Sequence, residues 1–498
     1  MHKRIKSYGE QGKKGQKKIA LENTLRLVHN FKQKSKINLK GAKAMKVAII
    51  LAGGKGTRMK SEEPKVMCKV LFEPMLAHVI RSVEKAGCEA VCVVMGYRHD
   101  VVENYLKVNF PNTETVLQNP QLGTGHAVMV AKSFVEKHKN DDILIINGDG
   151  PLMDSATINE AYDYHKENKN AITLISAMAD DLEGIGHIKR DENGALLRIV
   201  EHKDATPEEK LIRESNAGVY WFFGSSLLYA LERITNENVQ HEYYLTDSLE
   251  ILLSAGENAG AFVCENKEAV LGANDRVQLS NLNEIMRRNI CHKLMRDGVD
   301  IPLIDGIMIG AEVTVENGTQ ILPNTIIKGK TAIGKGCVIG PNTYIENSTI
   351  CNNVVLDNCK ILDSEIGDGT DCGPYVKVRD GSVIKENVHI GNFVEVKNSV
   401  IGRGTKCAHL TYIGDSDVGE GVNFGCGTVT CNYDGKVKSR CKIGNNVFIG
   451  CNTNFIAPVT VGDNAYIAAG STVTDNVPPD ALTIARARQV NKENRSPK

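Results

Sequence analysis

The chain has 498 residues, a length that excludes one ordinary domain and predicts two or three. Apolar residues make up 42% of it, as in a globular protein, and its formal net charge is zero. The charge is unevenly distributed, because residues 1–44 hold 13 Lys and Arg against 2 Asp and Glu. The sequence therefore predicts a mildly acidic body that follows a basic, flexible N-terminal arm over residues 1–44.

Neither secretion nor membrane insertion is predicted. The basic start is not followed by an apolar core like that of a signal peptide, and no apolar run approaches the ~20 residues of a membrane helix. The 14 cysteines form no Cys-x-x-Cys pair and no zinc-finger spacing. We expect a cytoplasmic protein with free thiols.

The role of the arm is left open by its sequence. Its aromatic residues are Tyr8 and Phe31, which serve base stacking poorly, so no nucleic-acid partner is expected. Met45 begins the stretch "MKVAIILAGG", a natural domain start. A flexible arm and an upstream start-site assignment both fit these observations.

Residues 46 to about 272 alternate between short apolar runs and helical patterns. The runs "KVAIIL", "AVCVVMG", "ETVLQ", "ILIING" and "AITLISA" predict strands, and "PMLAHVIRSVEKAG" predicts a helix that stops at Gly87. This alternation predicts a mostly parallel sheet covered on both faces. Ligands of such sheets bind at the carboxyl ends of the strands, where the loop after "KVAIIL" lies.

The second half of the chain has a different texture. Residues 275–297 contain helical apolar spacing without Pro and predict a connecting helix before position 301. Beyond it, apolar residues recur every six positions: Ile309, Val315, Ile321, Ile327, Ile333, Ile339 and Ile345, and again Ile443, Ile449, Phe455, Val461, Ile467 and Val473. A period of six predicts a β-helix, here of roughly nine coils of 18 residues. The predicted domains are 45–274, a linker helix at 275–300, and 301–498 with a C-terminal tail.

The glycine-rich loop "LAGGKGTRMKSEEPK" is the first candidate for chemistry. It follows a predicted strand, so its backbone N–H groups can point at phosphate oxygens. Arg58 and Lys65 add cations that a plain turn does not need. The loop predicts a site for a nucleoside triphosphate or a sugar phosphate.

Further motifs carry a specific resemblance. "LAGGKGTRM…PK", "VLQNPQLGTGHAV", "INGDGPL", "VEHKDAT", "ESNAGVY" and "EYYLTD" occur in the order seen in sugar-phosphate nucleotidyltransferases, and "HIGNFVEVKNS", "HLTYIGD" and "CNYDG" follow. From residue 46 to about 490 the chain resembles the bacterial bifunctional enzymes that are both N-acetylglucosamine-1-phosphate uridylyltransferases and glucosamine-1-phosphate N-acetyltransferases. The resemblance implies an α/β Rossmann-like nucleotidyltransferase domain, a hexapeptide-repeat left-handed β-helix domain, and a homotrimer acting on small molecules.

For the first domain, the resemblance implies transfer of UMP from UTP to N-acetylglucosamine 1-phosphate with Mg²⁺ as cofactor. The product, UDP-N-acetylglucosamine, is a precursor of peptidoglycan and lipopolysaccharide-type envelopes. The sugar phosphate attacks the α-phosphorus of UTP in line, so positioning and electrostatics carry catalysis. The matching residues are Arg58 and Lys65 on the phosphates, Leu51, Ala52, Gly53, Gly54, Gln118, Gly123 and Thr124 at the nucleotide, Gly186, Glu201 and Asn216 at the sugar, and Asp149 and Asn274 at the metal.

For the second domain, the resemblance implies transfer of acetyl from acetyl-CoA to the amine of glucosamine 1-phosphate. His409 matches the base, and an imidazole has a suitable pKa range for that task. The other matching residues are Arg379, Lys397, Tyr412, Asn423, Asn432 and Tyr433 at the sugar phosphate and acetyl group, and Cys426, Cys451, Ala469 and Arg486 at coenzyme A.

Three positions depart from the pattern of the family. Asn147 stands where relatives have an aromatic residue, and we expect a changed affinity there rather than a lost activity. Cys426 and Cys451 stand where relatives commonly have Ala and Ser.

Two other classes of protein share these folds. One is a nucleotidyltransferase whose hexapeptide tail only regulates, and the presence of Arg379, Lys397 and His409 disfavours it. The other is a translation-factor exchange subunit, a binding scaffold, which the intact phosphate loop and Asp149 disfavour. Taken singly, Asp149 could also be a helix cap and His409 a plain corner residue.

Overall fold

The computed structural model describes residues 44–178, 185–493 and 495 of the chain, so the predicted arm lies outside the described residues except for Ala44. The chain forms two compact units. The first, here called the sheet unit, contains Pro74–Leu282 and the residues up to Lys69. The second, the β-helix unit, contains Val70–Glu73 and Asn283–Lys498. The division falls inside a helix, whereas the sequence predicted a separate linker there.

The sheet unit contains one large sheet. Its strands are β1 (Lys46–Ala52), β2 (Ala90–Met95), β3 (Glu114–Leu117), β4 (Asp142–Asn147), β5 (Ile172–Met178), β6 (His187–Arg190), β7 (Leu196–Val200), β8 (Glu214–Phe223) and β9 (Ala259–Val263). The strand order is β9-β5-β8-β4-β1-β2-β3, and β6 pairs with β8 and β7. The five strands predicted from apolar runs are confirmed as β1 to β5.

Most neighbouring strands are parallel, as predicted, but β8 is an exception. It runs antiparallel between β4 and β5, and the sequence had identified its residues only as a motif. Trp221 and Phe222 of this strand are completely buried. The central strands are buried on both faces: in β1, Val47 and Ile49 belong to one core cluster, and Ala48 and Ile50 belong to the other.

Helices cover both faces of the sheet. They are α1 (Met75–Lys85), α2 (His99–Asn109), α3 (Thr124–Val130), α4 (Lys132–Lys137), α5 (Ser155–Glu167), α6 (Gly224–Leu231) and α7 (Asp247–Ser254), and α8 (Arg276–Arg296) follows the last strand of the sheet. Short 3-10 turns occupy Thr57–Met59, Lys65–Met67 and Glu209–Leu211, and the two-residue strands Lys69–Val70 and Glu73–Pro74 pair with each other. Helix α1 confirms the predicted helix, and the chain after it turns at Gly87 with a φ of 87°.

The β-helix unit has three parallel ladders, one on each face of a three-sided coil. The first face contains Met308–Ile309, Ile326–Lys328, Tyr344–Glu346, Lys360–Leu362, Lys377–Arg379, Glu395–Lys397, Tyr412–Gly414, Val429–Cys431, Asn454–Ile456 and Thr472–Val473. The second contains Thr314–Val315, Ala332–Ile333, Thr349–Ile350, Glu365–Ile366, Val383–Ile384, Val400–Ile401, Ser416–Val418, Cys441–Ile443 and Val459–Val461. The third contains Gln320–Ile321, Val338–Ile339, Val355–Leu356, Asp371–Cys372, His389–Asn392, Lys406–His409, Asn423–Phe424, Phe448–Ile449, Tyr466–Ile467 and Leu482–Thr483.

The coils explain why the period of six breaks in the middle of the sequence. On the first face, Ile326 pairs with Tyr344, 18 residues later, but Tyr344 pairs with Lys360, only 16 later. Coils of 16 or 17 residues keep the inward position on each face while they shift the sequence register. The interior is a continuous column of buried residues that includes Ile339, Val378 and Phe455.

Candidate active sites

The glycine loop after β1 is shaped by close backbone contacts. The carbonyl of Gly53 accepts hydrogen bonds from Gln121 Nε2 at 2.5 Å and from the backbone N–H of Tyr97 at 3.1 Å. Gly56 has a φ of 62°, and a Cβ added there would lie 2.6 Å from the Cβ of Lys65. A residue with a side chain would clash at this point, so glycine lets the loop pass directly over the stem of Lys65.

Lys65 lies at the centre of a polar cluster. Its ammonium is 2.5 Å from Asp149 Oδ2 and donates a hydrogen bond to Asn274 Oδ1 at 2.7 Å. The side chains of Lys65 and Asp149 are only 14% and 26% exposed. The backbone N–H of Asn274 donates to Gln278 Oε1 at 2.7 Å, which fixes the start of helix α8 at this cluster.

A cavity of about 490 Å³ lies beside the glycine loop. Its lining includes Leu51, Gly53, Gly54, Arg58, Lys65, Gln118, Gly123, Thr124, Asp149 and Asn274. Gln118 is 5% exposed and donates from Nε2 to the carbonyl of Gly123 at 3.0 Å. Of the residues assigned to the nucleotide, only Ala52 is absent from this lining, because its side chain is fully buried in the core.

A second cavity, of about 750 Å³, contains the residues assigned to the sugar. Gly186, Glu201 and Asn216 all line it. Burial raises the pKa of Glu201 above its ordinary value, although the hydroxyl of Thr246 donates to Oε1 at 3.0 Å and opposes the shift. Asn216 donates from Nδ2 to the hydroxyl of Tyr220 at 2.7 Å.

The two cavities meet at a shared wall formed by Leu51, Lys65, Thr124, Asn147, Asp149 and Asn274. The oxygens of Asp149 and Asn274 already converge on one cation, the Lys65 ammonium. The described residues contain no group of three or more His, Cys, Asp or Glu able to hold a metal by themselves. One carboxylate and one amide oxygen nevertheless fit Mg²⁺, which is commonly held by few protein oxygens together with substrate phosphates and water.

On the first face of the β-helix, a buried ion pair carries the second cluster. Lys397 Nζ lies 3.4 Å from both carboxylate oxygens of Asp415, and Asn398 Nδ2 donates to Asp415 Oδ1 at 2.5 Å. Asn432 donates to the other oxygen and lies 3.4 Å from the hydroxyl of Tyr412. Burial alone would raise the pKa of Asp415, but these hydrogen bonds and the charge of Lys397 outweigh burial and lower it.

Arg379 extends this cluster by one coil. It is the cross-strand partner of Lys397, and its Nε lies 2.7 Å from Glu395 Oε1. The second guanidinium nitrogen, Nη1, lies 2.6 Å from Asp380 Oδ2. The two cations are thus stacked on one face, at a spacing of ~4.8 Å between neighbouring strands.

His409 lies at the corner between the third and first faces. Its Nδ1 is 2.8 Å from Oδ1 of Asn392, which is its partner in the preceding coil. An amide oxygen only accepts hydrogen bonds, so this contact places the proton on Nδ1 and leaves the lone pair on Nε2. The imidazole is exposed, and a base with a free Nε2 is therefore presented at the corner.

The residues assigned to coenzyme A follow His409 along the same corner. Cys407 pairs with Phe424 before the corner and Tyr412 pairs with Val429 after it, so Cys426 is the partner of His409. The same registers, carried forward, place Cys451 and then Ala469 in the next two coils. We call Asn392, His409, Cys426, Cys451 and Ala469 the corner column.

The remaining assigned residues lie around this column. The side chain of Arg486 is exposed, and its Cδ would lie 3.8 Å from a Cβ added to Gly470. Asn423 lies on the third face, three residues before Cys426. Tyr433 is exposed and donates to the carbonyl of Gly435 at 2.7 Å, in a loop that lengthens this coil.

Sequence reasoning missed four residues that position these groups. Gln121, Asn392, Glu395 and Asp415 stand within the motifs "NPQLGTG", "HIGNFVEVK" and "YIGD", but no pattern singled them out. A polar residue one coil before or after an assigned residue was the available signal, and it requires the coil lengths to be known.

Comparison with known proteins agrees with both units. The family model for nucleotidyl transferases matches residues 47–270, that for the GMPPB C-terminal domain matches 309–407, and that for six bacterial transferase hexapeptide repeats matches 440–475. The chain is 48% identical to the bifunctional protein GlmU of Caldanaerobacter subterraneus subsp. tengcongensis. It is 47% identical to those of a Geobacillus species and of Clostridium botulinum. Each match covers 90% of this chain and 96% or 97% of the relative.

The matches settle the class of protein that the sequence predicted. The fold is a Rossmann-like nucleotidyltransferase unit with a left-handed hexapeptide β-helix, Mg²⁺ is the cofactor, and UTP and acetyl-CoA are substrates. No helix among the described residues is long and apolar enough to cross a membrane. The chain belongs to the family of bifunctional GlmU proteins, the enzymes that acetylate glucosamine 1-phosphate and then transfer UMP to the product to make UDP-N-acetylglucosamine for the cell envelope.

Proposed function

We propose that uridylyl transfer takes place where the two cavities of the sheet unit meet. The observation that supports this site is the shared wall of Lys65, Asp149 and Asn274 between the cavity beside the glycine loop and the cavity that contains Glu201. A triphosphate in the first cavity and a sugar phosphate in the second would bring their reacting groups to this wall. Holding both in place supplies most of the advantage that such a reaction needs.

The charges at the wall fit the chemistry of the step. Negative charge accumulates on the phosphoryl oxygens during transfer, and Lys65 and Arg58 both line the first cavity. Asp149 and Asn274 would hold Mg²⁺, which neutralises phosphate charge when it is bound. Gln118 is held by Gly123 with its amide in the cavity lining, where it suits the edge of the uracil base.

The second reaction is assigned to the corner column and the first face of the β-helix. His409 takes a proton from the amine of glucosamine 1-phosphate through Nε2, because an ammonium cannot attack a thioester. Asn392 positions the imidazole by accepting from Nδ1. Arg379 and Lys397 supply the positive charge that a sugar phosphate requires, and acetyl-CoA lies along Cys426, Cys451 and Ala469 with Arg486 at its phosphates.

One experiment tests both reactions together. Purified protein is incubated with glucosamine 1-phosphate, acetyl-CoA, UTP and Mg²⁺, and each component is then omitted in turn. UDP-N-acetylglucosamine should form only in the complete mixture. Without UTP, N-acetylglucosamine 1-phosphate should accumulate, and without acetyl-CoA only added N-acetylglucosamine 1-phosphate should be converted.

We also propose that three β-helices associate about an apolar corner ridge. Nine successive coils have a residue with positive φ at the corner between the third and first faces, and six of these residues are Asn or Gly. The other three are consecutive: Tyr375, Phe393 and Leu410, here called the corner ridge. Their side chains are 60%, 55% and 58% exposed, and the first two rings stack with centroids 5.2 Å apart.

The corner ridge combines two unfavourable features. A left-handed backbone costs a bulky residue on the order of 1 kcal/mol, which Asn or Gly would largely avoid. Exposed apolar side chains in one patch favour association. Phe393 and Leu410 directly follow Asn392 and His409, so a second copy that covered the ridge would lie against the proposed base.

The trimer is tested with substitutions that keep the corner backbone. Phe393→Asn with Leu410→Asn installs the residue found elsewhere at this corner, so the coil should remain folded. We expect loss of the trimer in sedimentation equilibrium, loss of acetyl transfer and retained uridylyl transfer. Val108→Asn, at a residue of the sheet unit that is 80% exposed, is the matched control and should change neither property. A double variant that stayed trimeric would refute the proposed interface.

A cytoplasmic location fits the thiols and the substrates. All 14 cysteines are free, which matches a reducing compartment. UTP and acetyl-CoA are also made and used inside cells. Fractionation of cells that express the chain, followed by detection of both activities in the soluble cytoplasmic fraction, tests this location.

A further inference from the structure

The corner column places a thiol beside the proposed base. Asn392, His409 and Cys426 occupy the same position in three successive coils. Neighbouring coils are ~4.8 Å apart, so the imidazole of one coil is within reach of a thiol in the next. This order, an amide, an imidazole and a thiol, is the set of groups that cysteine hydrolases use to activate a nucleophile.

The two contacts of the imidazole are complementary. Asn392 Oδ1 lies 2.8 Å from His409 Nδ1 in the preceding coil, which leaves Nε2 free toward the other side. Cys426 is the next residue of the column on that other side, and its side chain is half-buried rather than enclosed. A base held from one side by an amide can therefore accept a proton from the thiol on its other side.

Other thiols of the β-helix lack these properties. Cys359, Cys407 and Cys441 are buried, and burial raises the pKa of each thiol to about 12, about 12 and about 11. Cys451 is exposed but lies one coil further from His409 than Cys426 does. Cys426 thus combines access to solvent with a neighbouring base, and Cys451 provides a nearby thiol for comparison.

We propose that Cys426 accepts the acetyl group from acetyl-CoA and that the enzyme forms an S-acetyl-Cys426 intermediate. This inference rests on the proposed binding of acetyl-CoA along the corner column. His409 Nε2 takes the thiol proton, and Sγ of Cys426 attacks the thioester carbonyl carbon. The bond between that carbon and the coenzyme A sulfur breaks, and the leaving thiolate takes the proton from His409. One thioester replaces another, so no oxidant or reductant is needed.

The acetyl group then has a defined acceptor. The free amine of glucosamine 1-phosphate attacks the carbonyl of S-acetyl-Cys426, the carbon–sulfur bond breaks, and the Cys426 thiol is restored. His409 holds the amine proton in this step as it does for direct transfer from acetyl-CoA. Added coenzyme A reverses the first step, because the exchange is between two thioesters of similar energy.

The test uses the full-length protein with acetyl-CoA and no amine substrate. We expect released coenzyme A to approach one equivalent per chain, and mass spectrometry to find one acetyl group on the peptide that contains Cys426. Neutral hydroxylamine should remove this group, as it does with thioesters. Glucosamine 1-phosphate should discharge it and yield N-acetylglucosamine 1-phosphate.

Variants and a denatured control identify the site. Cys426→Ala should lose the acetylated peptide, Cys451→Ser should keep it, and His409→Ala should form it at least tenfold more slowly. Wild-type protein unfolded in urea should show no preference for Cys426. Acetyl groups spread over several cysteines, or found on Cys451, would overturn the proposal.

The wild-type turnover separates this proposal from the assigned reaction. If the folded wild-type enzyme makes N-acetylglucosamine 1-phosphate but never carries acetyl on Cys426 under rapid quench, the intermediate is refuted and the reaction stands. If it makes no such product from acetyl-CoA and glucosamine 1-phosphate, the proposed function fails first. Acetylation of Cys426 without discharge to the amine would likewise refute an intermediate.

Discussion

Lys65 and Asp149 form an ion pair at the wall shared by the two cavities of the sheet unit, with Nζ 2.5 Å from Oδ2. Asn274 accepts a second hydrogen bond from the same ammonium. The cluster is thus assembled without substrate, and each group restricts the others. A triphosphate entering the cavity brings negative charge that competes for Lys65, and this frees the oxygens of Asp149 and Asn274 for a cation.

Replacement of Asp149 should separate the two activities. Asp149→Ala removes the only carboxylate of the proposed metal pair, and we expect uridylyl transfer to fall by at least about a hundredfold. Acetyl transfer should persist, because no metal is assigned to the β-helix. His409→Ala should have the opposite effect. The measurement is the rate of each half-reaction in both variants with saturating substrates and Mg²⁺.

Asp154→Ala is the matched control for this comparison. Asp154 lies five residues further on, and its carboxylate caps helix α5 by accepting from the N–H of Thr157 at 2.8 Å. Its loss should lower the free energy of unfolding by about 1 kcal/mol without a comparable loss of uridylyl transfer. If Asp149→Ala abolished both reactions in folded protein, the assignment of two independent sites would be wrong.

The buried ion pair of the β-helix should be sensitive to removal of one partner. Lys397→Met leaves the Asp415 carboxylate buried at 5% exposure with hydrogen bonds but no cation. We expect the free energy of unfolding of this unit to fall by about 3 kcal/mol at pH 7. Lys397→Met with Asp415→Asn should recover much of the loss, because no charge is then buried. Urea titration followed by calorimetry compares the two variants.

The pH dependence of this loss has a defined sign. The pKa of Asp415 is lower in the folded protein, so its contribution to stability is present above the ordinary pKa of about 3.9 and is lost as the pH falls through the folded value. The difference between wild type and Lys397→Met should therefore shrink in acid. A difference that stayed constant from pH 7 to pH 3 would show that the ion pair does not contribute.

Much of the fold followed from the sequence because its signals are local. Strand β1 is buried on both faces, so its apolar run is continuous, and the period of six directly reflects one inward residue on each face of a coil. Strand β8 was missed as a strand because its partners are far away in the sequence: Val219 pairs with Ile146, and Asn216 pairs with Ser176.

The sites were predictable only where a motif names the residue. The resemblance supplied His409 and Lys397, but their partners Asn392 and Asp415 depend on coil lengths of 17 or 18 residues that no local pattern reveals. The adjacency of His409 and Cys426 has the same origin. Ala52 shows the opposite limit, because a residue inside a binding motif can have its side chain in the core.

Alkylation should distinguish the thiols of the corner column from those elsewhere. Cys451 is exposed and Cys426 half-buried, whereas Cys68, near the uridylyl site, is 4% exposed, and burial raises the pKa of its thiol. We expect N-ethylmaleimide to inhibit acetyl transfer faster than uridylyl transfer, since the thiolate is the reactive form. Acetyl-CoA should slow this inhibition by covering the column.

The variant Cys426→Ala with Cys451→Ser tests the origin of that inhibition. Whatever acetyl transfer it retains should be insensitive to N-ethylmaleimide. Residual activity is measured against time of exposure, with and without acetyl-CoA. Inactivation of the variant at the wild-type rate would assign the effect to other cysteines.

Asp247, at the start of helix α7, should make the sheet unit less stable as the pH rises. Burial and the neighbouring carboxylates of Glu201, Glu250 and Asp204 raise its pKa from 3.8 to about 6, although a helix N-terminus favours a negative charge. Between these two values, the folded state holds a proton that the unfolded state has released. Stability therefore falls as the pH rises through this window.

Asp247→Asn removes this titration and should stabilise the unit at alkaline pH. The printed shift corresponds to at most about 3 kcal/mol, and partial exposure of the side chain reduces our expectation to about 1–2 kcal/mol at pH 8. The difference should vanish near pH 4, where Asp247 is protonated in the folded protein. Thermal midpoints at pH 4, 6 and 8 measure it, and Glu136→Gln, which removes a carboxylate with 57% exposure, should leave all three unchanged. Parallel stability curves for wild type and Asp247→Asn would show that Asp247 titrates as an ordinary surface carboxylate, and the acidic cluster around Glu201 would then not oppose folding.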